Sequence, residues 1–174
     1  MDREKKILLT SDQIRKRIEE LAKHISSDYG SKQITLIGVL KGCLVFMADL
    51  IQHLKSPFTC DFVQVTTTMS HEEGEPIKKN IFFTSNFKVK DKDVLVLEDI
   101  LDTGITVSYL INHLKEEHPR SIKVCVMLDK PTRRKVDINA DYVGFQVPDK
   151  YVFGYGLDYN EKLRGLSYIC YFED

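Results

Sequence analysis

Between Val94 and Thr106 the chain reads VLVLEDILDTGIT. Its first four residues are all apolar and offer no polar face to water, so the strand they form must be covered on both sides. Within a few residues the character changes. Two acids, Glu98 and Asp99, and two more apolar residues lead to an Asp-Thr-Gly turn that opens a helix. Gly104 gives that turn the dihedrals and close backbone approach that anion binding demands, and a helix N-terminus favours a phosphate. The acids set a second condition. Glu98, Asp99 and Asp102 bring up to three negative charges close to the proposed anion site. Such a cluster is repulsive unless ribose hydroxyls or a divalent cation lie between the charges. A phosphorylated sugar bound with Mg²⁺ meets both conditions.

The rest of the chain repeats the alternation of strand and helix. Thr10 and Gln13 form a capping box, and Ile14, Ile18, Leu21 and Ile25 then recur at helical spacing before Gly30. Residues 33–40 predict a strand ending at Lys41-Gly42, and 43–54 a largely buried helix. Residues 60–68 have strand composition. Residues 69–79, polar and carrying Gly74 and Pro76, predict a mobile loop. Strands follow over 80–85 and 93–97, then a helix from about 106 to 117, ended by His118-Pro119. Residues 121–128 predict the next strand, leading into Asp129-Lys130-Pro131 and a basic cluster, Arg133, Arg134 and Lys135. That cluster reads as a solvated face or a contact with another subunit. Short strands are expected near 142–145, 151–154 and 167–171.

This pattern predicts one α/β domain over residues 1–174, a central parallel sheet flanked by helices with ligands at the carboxyl ends of the strands. About 32 residues, with one helix, are expected ahead of the first strand. Lys41, Asp102 and Lys130 each follow a strand directly. If those strands are parallel neighbours, the three side chains converge on one edge of the sheet.

Composition removes several alternatives. The 174 residues suffice for a substantial core without disulfides or metal. With 25 basic against 26 acidic residues and a net charge of -1, there is no electrostatic case for nucleic acid or membrane as main partner. Anion binding must be local. Cys43, Cys60, Cys125 and Cys170 are far apart, without a CxxC pair, and read as reduced thiols in or near the core. With no secretory h-region and no long apolar run, a soluble cytoplasmic protein is expected. The histidines form no zinc-ligand spacing, and Ser70-His71-Glu72 are sequence neighbours of a kind that rarely attains triad geometry.

At every position the stretch from Val94 to Thr106 resembles the phosphoribosyl pyrophosphate (PRPP) motif of the type I phosphoribosyltransferases. Further segments narrow the likeness. Leu40-Lys41-Gly42, Lys130 after Leu128-Asp129, Asp149-Lys150-Tyr151-Val152 and Gly154-Tyr155-Gly156-Leu157-Asp158-Tyr159 resemble the hypoxanthine-guanine phosphoribosyltransferase family, over about residues 7–172. The resemblance implies the family's parallel sheet, with a small hood built from the N- and C-terminal segments. It implies transfer of ribose 5-phosphate from PRPP to a 6-oxopurine, with pyrophosphate released, Mg²⁺ as cofactor, and a homo-oligomer, dimer or tetramer.

Residue roles follow from the same resemblance. Asp102, Thr103, Gly104, Ile105 and Thr106 would hold the 5′-phosphate, and Glu98 and Asp99 the ribose hydroxyls and metal. Asp102 would accept the purine N7 proton. Lys41 and Gly42, with a cis peptide after Leu40, would direct backbone amides at the pyrophosphate, joined by Arg164. Lys130 would donate to the purine 6-oxo group, Tyr151 would stack on the base, and the Val152 backbone would read its edge. Asp158 would approach purine C2 and coordinate Mg²⁺. One departure stands out: Thr67-Thr68 occupy the place where the family's closing loop carries Ser-Tyr. A PRPP-sensing regulator with the same fold and reduced catalysis is the alternative that this departure favours.

Overall fold

In chain order the elements are β1 (Lys5–Leu9), α1 (Ser11–Tyr29), β2 (Ile34–Leu40), α2 (Cys43–His53), β3 (Phe58–Thr68), β4 (Lys78–Phe83), β5 (Asp93–Leu101), α3 (Ile105–Glu116), β6 (Ser121–Asp129), a 3-10 turn (Pro131–Arg133), β7 (Tyr142–Gln146), β8 (Val152–Phe153) and β9 (Ile169–Phe172). The structure, a computed structural model, describes residues 4–68, 78–83 and 88–173, with the backbone alone for 66–68, 78–80 and 83.

Six strands form the main sheet in the order β4-β3-β2-β5-β6-β7. All neighbours are parallel except β4, which returns antiparallel on β3 and closes one edge. β2 and β5 take the centre because they are buried along nearly their whole length. Side chains alternate between the two faces. Leu36, Leu95 and Leu97 pack with Ile14, Ile18 and Leu21 of α1 and Phe46 and Leu50 of α2. Their neighbours Ile37, Val39, Val94 and Val96 pack with Leu110 and Leu114 of α3. The covering on both faces that the apolar runs demand is thus supplied by three helices.

The chain's two ends build the hood, an antiparallel sheet in the order β1-β9-β8. Here the structure corrects the reading of the N-terminus. A strand precedes α1, with Lys5 paired to Phe172, and the sequence offers no local sign of it because the partner lies at the far end of the chain. β5 also runs to Leu101, past the expected end at Leu97. The acids interrupt the apolar run, but the ladder to β6 continues from Glu98↔Val126 to Leu101↔Asp129.

Thr67 and Thr68, expected in a closing loop, are the last residues of β3, paired with Lys79 and Lys78. Of the expected mobile loop 69–79, residues 69–77 lie outside the described residues and Lys78 and Lys79 belong to β4. Cys43, Cys125 and Cys170 are buried, whereas Cys60 is exposed, and all four thiols are unpaired. Among the described residues no helix is long and apolar enough to cross a membrane.

Candidate active site

β2, β5 and β6 are parallel neighbours that end at Leu40, Leu101 and Asp129. Lys41, Asp102 and Lys130 therefore leave the sheet at one edge, as their places in the sequence predict. The Lys130 N–H donates to the Leu101 carbonyl at 3.0 Å and ties two of the three exits together. The peptide between Leu40 and Lys41 is cis, in agreement with the family pattern. Gly42 is pressed against the neighbouring strand. A Cβ at this position would overlap the Asp99 carboxylate, so the close approach depends on glycine.

A cavity of about 220 Å³ lies at this edge, lined by Glu98, Asp99, Asp102, Thr103, Gly104 and Thr106 among others. Gly104 is the N-cap of α3 with φ at 79°, in the left-handed region, and a Cβ there would overlap the Ile138 side chain. It brings no side-chain hydrogen bond to the first turn. The Thr103 hydroxyl accepts the Ile105 N–H at 3.4 Å, and the positive end of the α3 dipole opens on the cavity, as suits an anion.

The acid pair is the most strained electrostatic feature of the site. Glu98 is buried and its Oε2 has no hydrogen-bond partner among the described residues. Burial, and then the charge of Asp99, push the Glu98 carboxyl well above the usual range. Burial also raises Asp99, although the Glu98 side chain, the Ile100 N–H and the Arg164 charge oppose it. The Ile100 N–H donates to Asp99 Oδ1 at 2.7 Å. An orphaned carboxylate oxygen beside a second carboxylate fits hydroxyl donors or a divalent cation. Among the described residues no three acid, histidine or cysteine side chains gather into one metal-holding group. Asp158 stands apart from the Glu98–Asp99 pair, and this donor set suits Mg²⁺ only if substrate oxygens complete the shell.

From the hood side, Lys130 is 5% exposed and its Nζ donates to the Lys150 carbonyl at 2.6 Å. Tyr151 is 63% exposed, its hydroxyl donating to the Asp158 carbonyl at 3.1 Å and its ring edge-on to Tyr159. Val152 is buried on β8, opposite Tyr171. Asp158 pairs with Arg164 at 2.9 Å and accepts the Glu161 N–H at 2.9 Å. Glu161 itself holds both cations of this corner, Lys41 at 2.8 Å and Arg164 at 3.3 Å. Lys41, and then Arg164, keep its carboxyl below the usual range. A larger cavity, about 430 Å³, lies on the α1 and α2 side of Arg164 and is lined by Ile14, Val45, Asp49 and Tyr155. The acid pair and the cradle belong to the smaller one.

The phosphoribosyl transferase domain family matches residues 5–161. The hypoxanthine-guanine phosphoribosyltransferase of Bacillus subtilis is 44% identical over 168 residues, which cover 94% of this chain and 91% of that one. The chain belongs to the hypoxanthine-guanine phosphoribosyltransferase family. The Aquifex aeolicus protein of the same name is 41% identical over 97% of this chain and 95% of its own. A crystal structure of a hypoxanthine-guanine phosphoribosyltransferase from Bacillus anthracis superposes with a TM-score of 0.86 at 40% identity, covering 97% of each chain.

The basic cluster after Lys130 folds back over the strand ends, with Arg133 and Lys135 exposed, as a solvated face would be, and only Arg134 largely covered. The Arg134 side chain is 15% exposed. Its Nη1 donates to the Leu101 carbonyl at 2.6 Å and to that of Asp102, its Nη2 to the Asp129 carboxylate, and its Nε to the Ile138 carbonyl at 3.1 Å. It therefore buckles the phosphate cradle to the end of β6. The Lys135 N–H adds a bond to the Thr103 carbonyl at 3.0 Å. Arg133 pairs with Asp102 and Asp149. The one sequence signal for these roles is proximity: the cluster follows Lys130 and Asp129 within a few residues, where a turn can fold it back over the strand ends.

Proposed function

We propose that the chain is a purine salvage enzyme that transfers ribose 5-phosphate from PRPP to hypoxanthine or guanine, giving the nucleoside 5′-monophosphate and pyrophosphate. One observation carries the reading. The acid pair, Asp102 and the opening turn of α3 share one cavity, and Lys130 enters the same edge from the neighbouring strand.

The 5′-phosphate takes the turn from Asp102 to Thr106, where the helix dipole and backbone N–H groups face it. The ribose hydroxyls go to Glu98 and Asp99, which relieves the orphaned Glu98 Oε2. As the bond from purine nitrogen to C1′ forms and the C1′–O bond to pyrophosphate breaks, Asp102 takes the N7 proton. The ammonium of Lys130 has three donors, one of them committed to the Lys150 carbonyl, and the others serve the 6-oxo group. Adenine presents a donor at that position and leaves a buried donor unmatched. The exposed ring of Tyr151 stacks on the base while the Val152 backbone reads its edge. Pyrophosphate competes with Glu161 for Lys41 and Arg164. Glu98 and Asp99, together with substrate oxygens, and Asp158 would hold Mg²⁺, which would supply charge neutralisation for the leaving group.

A cytoplasmic setting, supported by the four unpaired thiols, and a homo-oligomer, dimer or tetramer as implied by the family, belong to the same reading. A PRPP sensor without turnover is the second reading, favoured only by Thr67-Thr68. Asp102→Asn separates the two. Turnover of hypoxanthine with PRPP and Mg²⁺ is expected to fall by roughly a hundredfold or more, with calorimetric PRPP affinity little changed. Equal turnover in wild type and variant would overturn the role of Asp102, and a wild type that binds PRPP without turnover would favour the sensor.

A further inference from the structure

Arg133 ends the 3-10 turn that follows Lys130, and its guanidinium is shared between two acids of different segments. Nε donates to Asp102 Oδ1 at 2.6 Å, and Nη1 to both carboxylate oxygens of Asp149 at 3.0 and 3.1 Å. No described residue bonds Asp102 Oδ2. Asp149 lies two residues ahead of Tyr151, and Lys130 fastens the same segment through the Lys150 carbonyl. One cation thus joins the carboxylate at the end of β5 to the segment that presents the exposed aromatic ring.

The pair is not there to hold the fold together. The side chains of Arg133 and Asp149 are 43% and 52% exposed, and ion pairs in such surroundings add little to stability. What a guanidinium supplies is geometry. Its planar fork can fix one oxygen of a carboxylate while a second nitrogen holds another acid, and a lysine cannot match that rigidity. A carboxylate otherwise free to turn is held with one oxygen committed and one open.

We propose that Arg133 is a positioning residue for the transfer: it holds Asp102 by Oδ1 so that Oδ2 meets the N7 proton, and through Asp149 it couples that setting to the seating of the base on Tyr151. The inference rests on the reading of Asp102 as proton acceptor and extends it to a residue that touches neither substrate.

The test is a double-mutant cycle in the full-length enzyme, with hypoxanthine, PRPP and Mg²⁺. Arg133→Gln is expected to lower kcat by about tenfold to a hundredfold, the scale of a misplaced reacting group, with the KM for PRPP little changed. Arg133→Lys is expected to recover part of the loss, and Asp149→Asn to show a smaller fall in kcat with a raised KM for the base. In an Asp102→Asn background, Arg133→Gln is expected to have no further effect, because nothing remains to be positioned. An equal loss in both backgrounds would overturn the inference. So would an unchanged or raised kcat in Arg133→Gln, the mark of a latch that withholds Asp102. Failure of the underlying reading looks different: Asp102→Asn would then match wild type, and both proposals fall together.

Discussion

Gly42 and Asp99 make a contact that no other residue pair could, since a methyl group at position 42 would occupy the space of the carboxylate. Gly42→Ala is therefore expected to displace Asp99 and lower kcat/KM for PRPP by roughly a hundredfold, with an unchanged circular dichroism spectrum. Glu98 has the opposite character, a buried acid whose own charge is the difficulty. Burial and Asp99 raise its carboxyl, so the folded chain keeps that proton to higher pH than the unfolded chain does. Its contribution to stability is fully present below the unfolded value and is lost as pH rises through the folded one. In the absence of substrate and metal, Glu98→Gln is expected to unfold at a higher temperature than wild type at pH 8, by a few degrees, the scale of roughly 1 kcal/mol in a chain of this length. The two should converge near pH 4, as thermal melts across that range would reveal. Lys130→Met tests base recognition, with an expected loss of about tenfold to a hundredfold in kcat/KM for hypoxanthine, the worth of one hydrogen bond to a charged group.

Between elements, Asp93 anchors the start of β5 to β6. It is buried and accepts from Ser121 Oγ at 2.6 Å and Arg120 Nη1 at 3.0 Å, and these bonds, Ser121 first, hold its carboxyl below the usual range. A lowered value means stability that is present above the unfolded value and lost as pH falls through the folded one. Asp93→Asn should cost about 1–2 kcal/mol at pH 7 and much less at pH 3, as read from urea denaturation at each pH. This scale also shows what was legible in advance. The central strands and their helices were, because short β-branched apolar runs bounded by turn residues read as strands covered on both faces, and longer periodic segments between them as helices. Lys41 and Lys130 were legible for the same reason, each lying just past such a strand, and Asp102 through the Asp-Thr-Gly turn that opens a helix. β1 was not, since KKILL gains its meaning only from β9. Nor were Arg133, Arg134 and Glu161, which look like solvated charges until the turn after β6 and the hood bring them onto the strand ends.

At the scale of the molecule, the site is a seam between sheet and hood. The cradle and acid pair come from the sheet, while Tyr151, Asp158 and Arg164 come from the chain that forms and links β8 and β9. Besides the bond from Lys130 to the Lys150 carbonyl, a partly buried one fastens the two parts: the Tyr155 hydroxyl donates to Asp49 Oδ2 on α2 at 2.6 Å, and burial, then Asp49, push its phenol above the usual range. Tyr155→Phe is expected to cost about 1–2 kcal/mol in urea denaturation and to raise the KM for PRPP, because Arg164 loses part of its support. A net charge of -1 supplies no general field for anions, so phosphate recognition must be local. The most direct measurement is chromatographic analysis of nucleotides formed by the wild-type chain from PRPP and Mg²⁺ with hypoxanthine, guanine, xanthine or adenine. Expected are the monophosphates of hypoxanthine and guanine, and none from adenine. A folded protein that binds PRPP yet forms no nucleotide, or one that converts adenine as readily as hypoxanthine, would contradict the function assigned to Asp102 and Lys130.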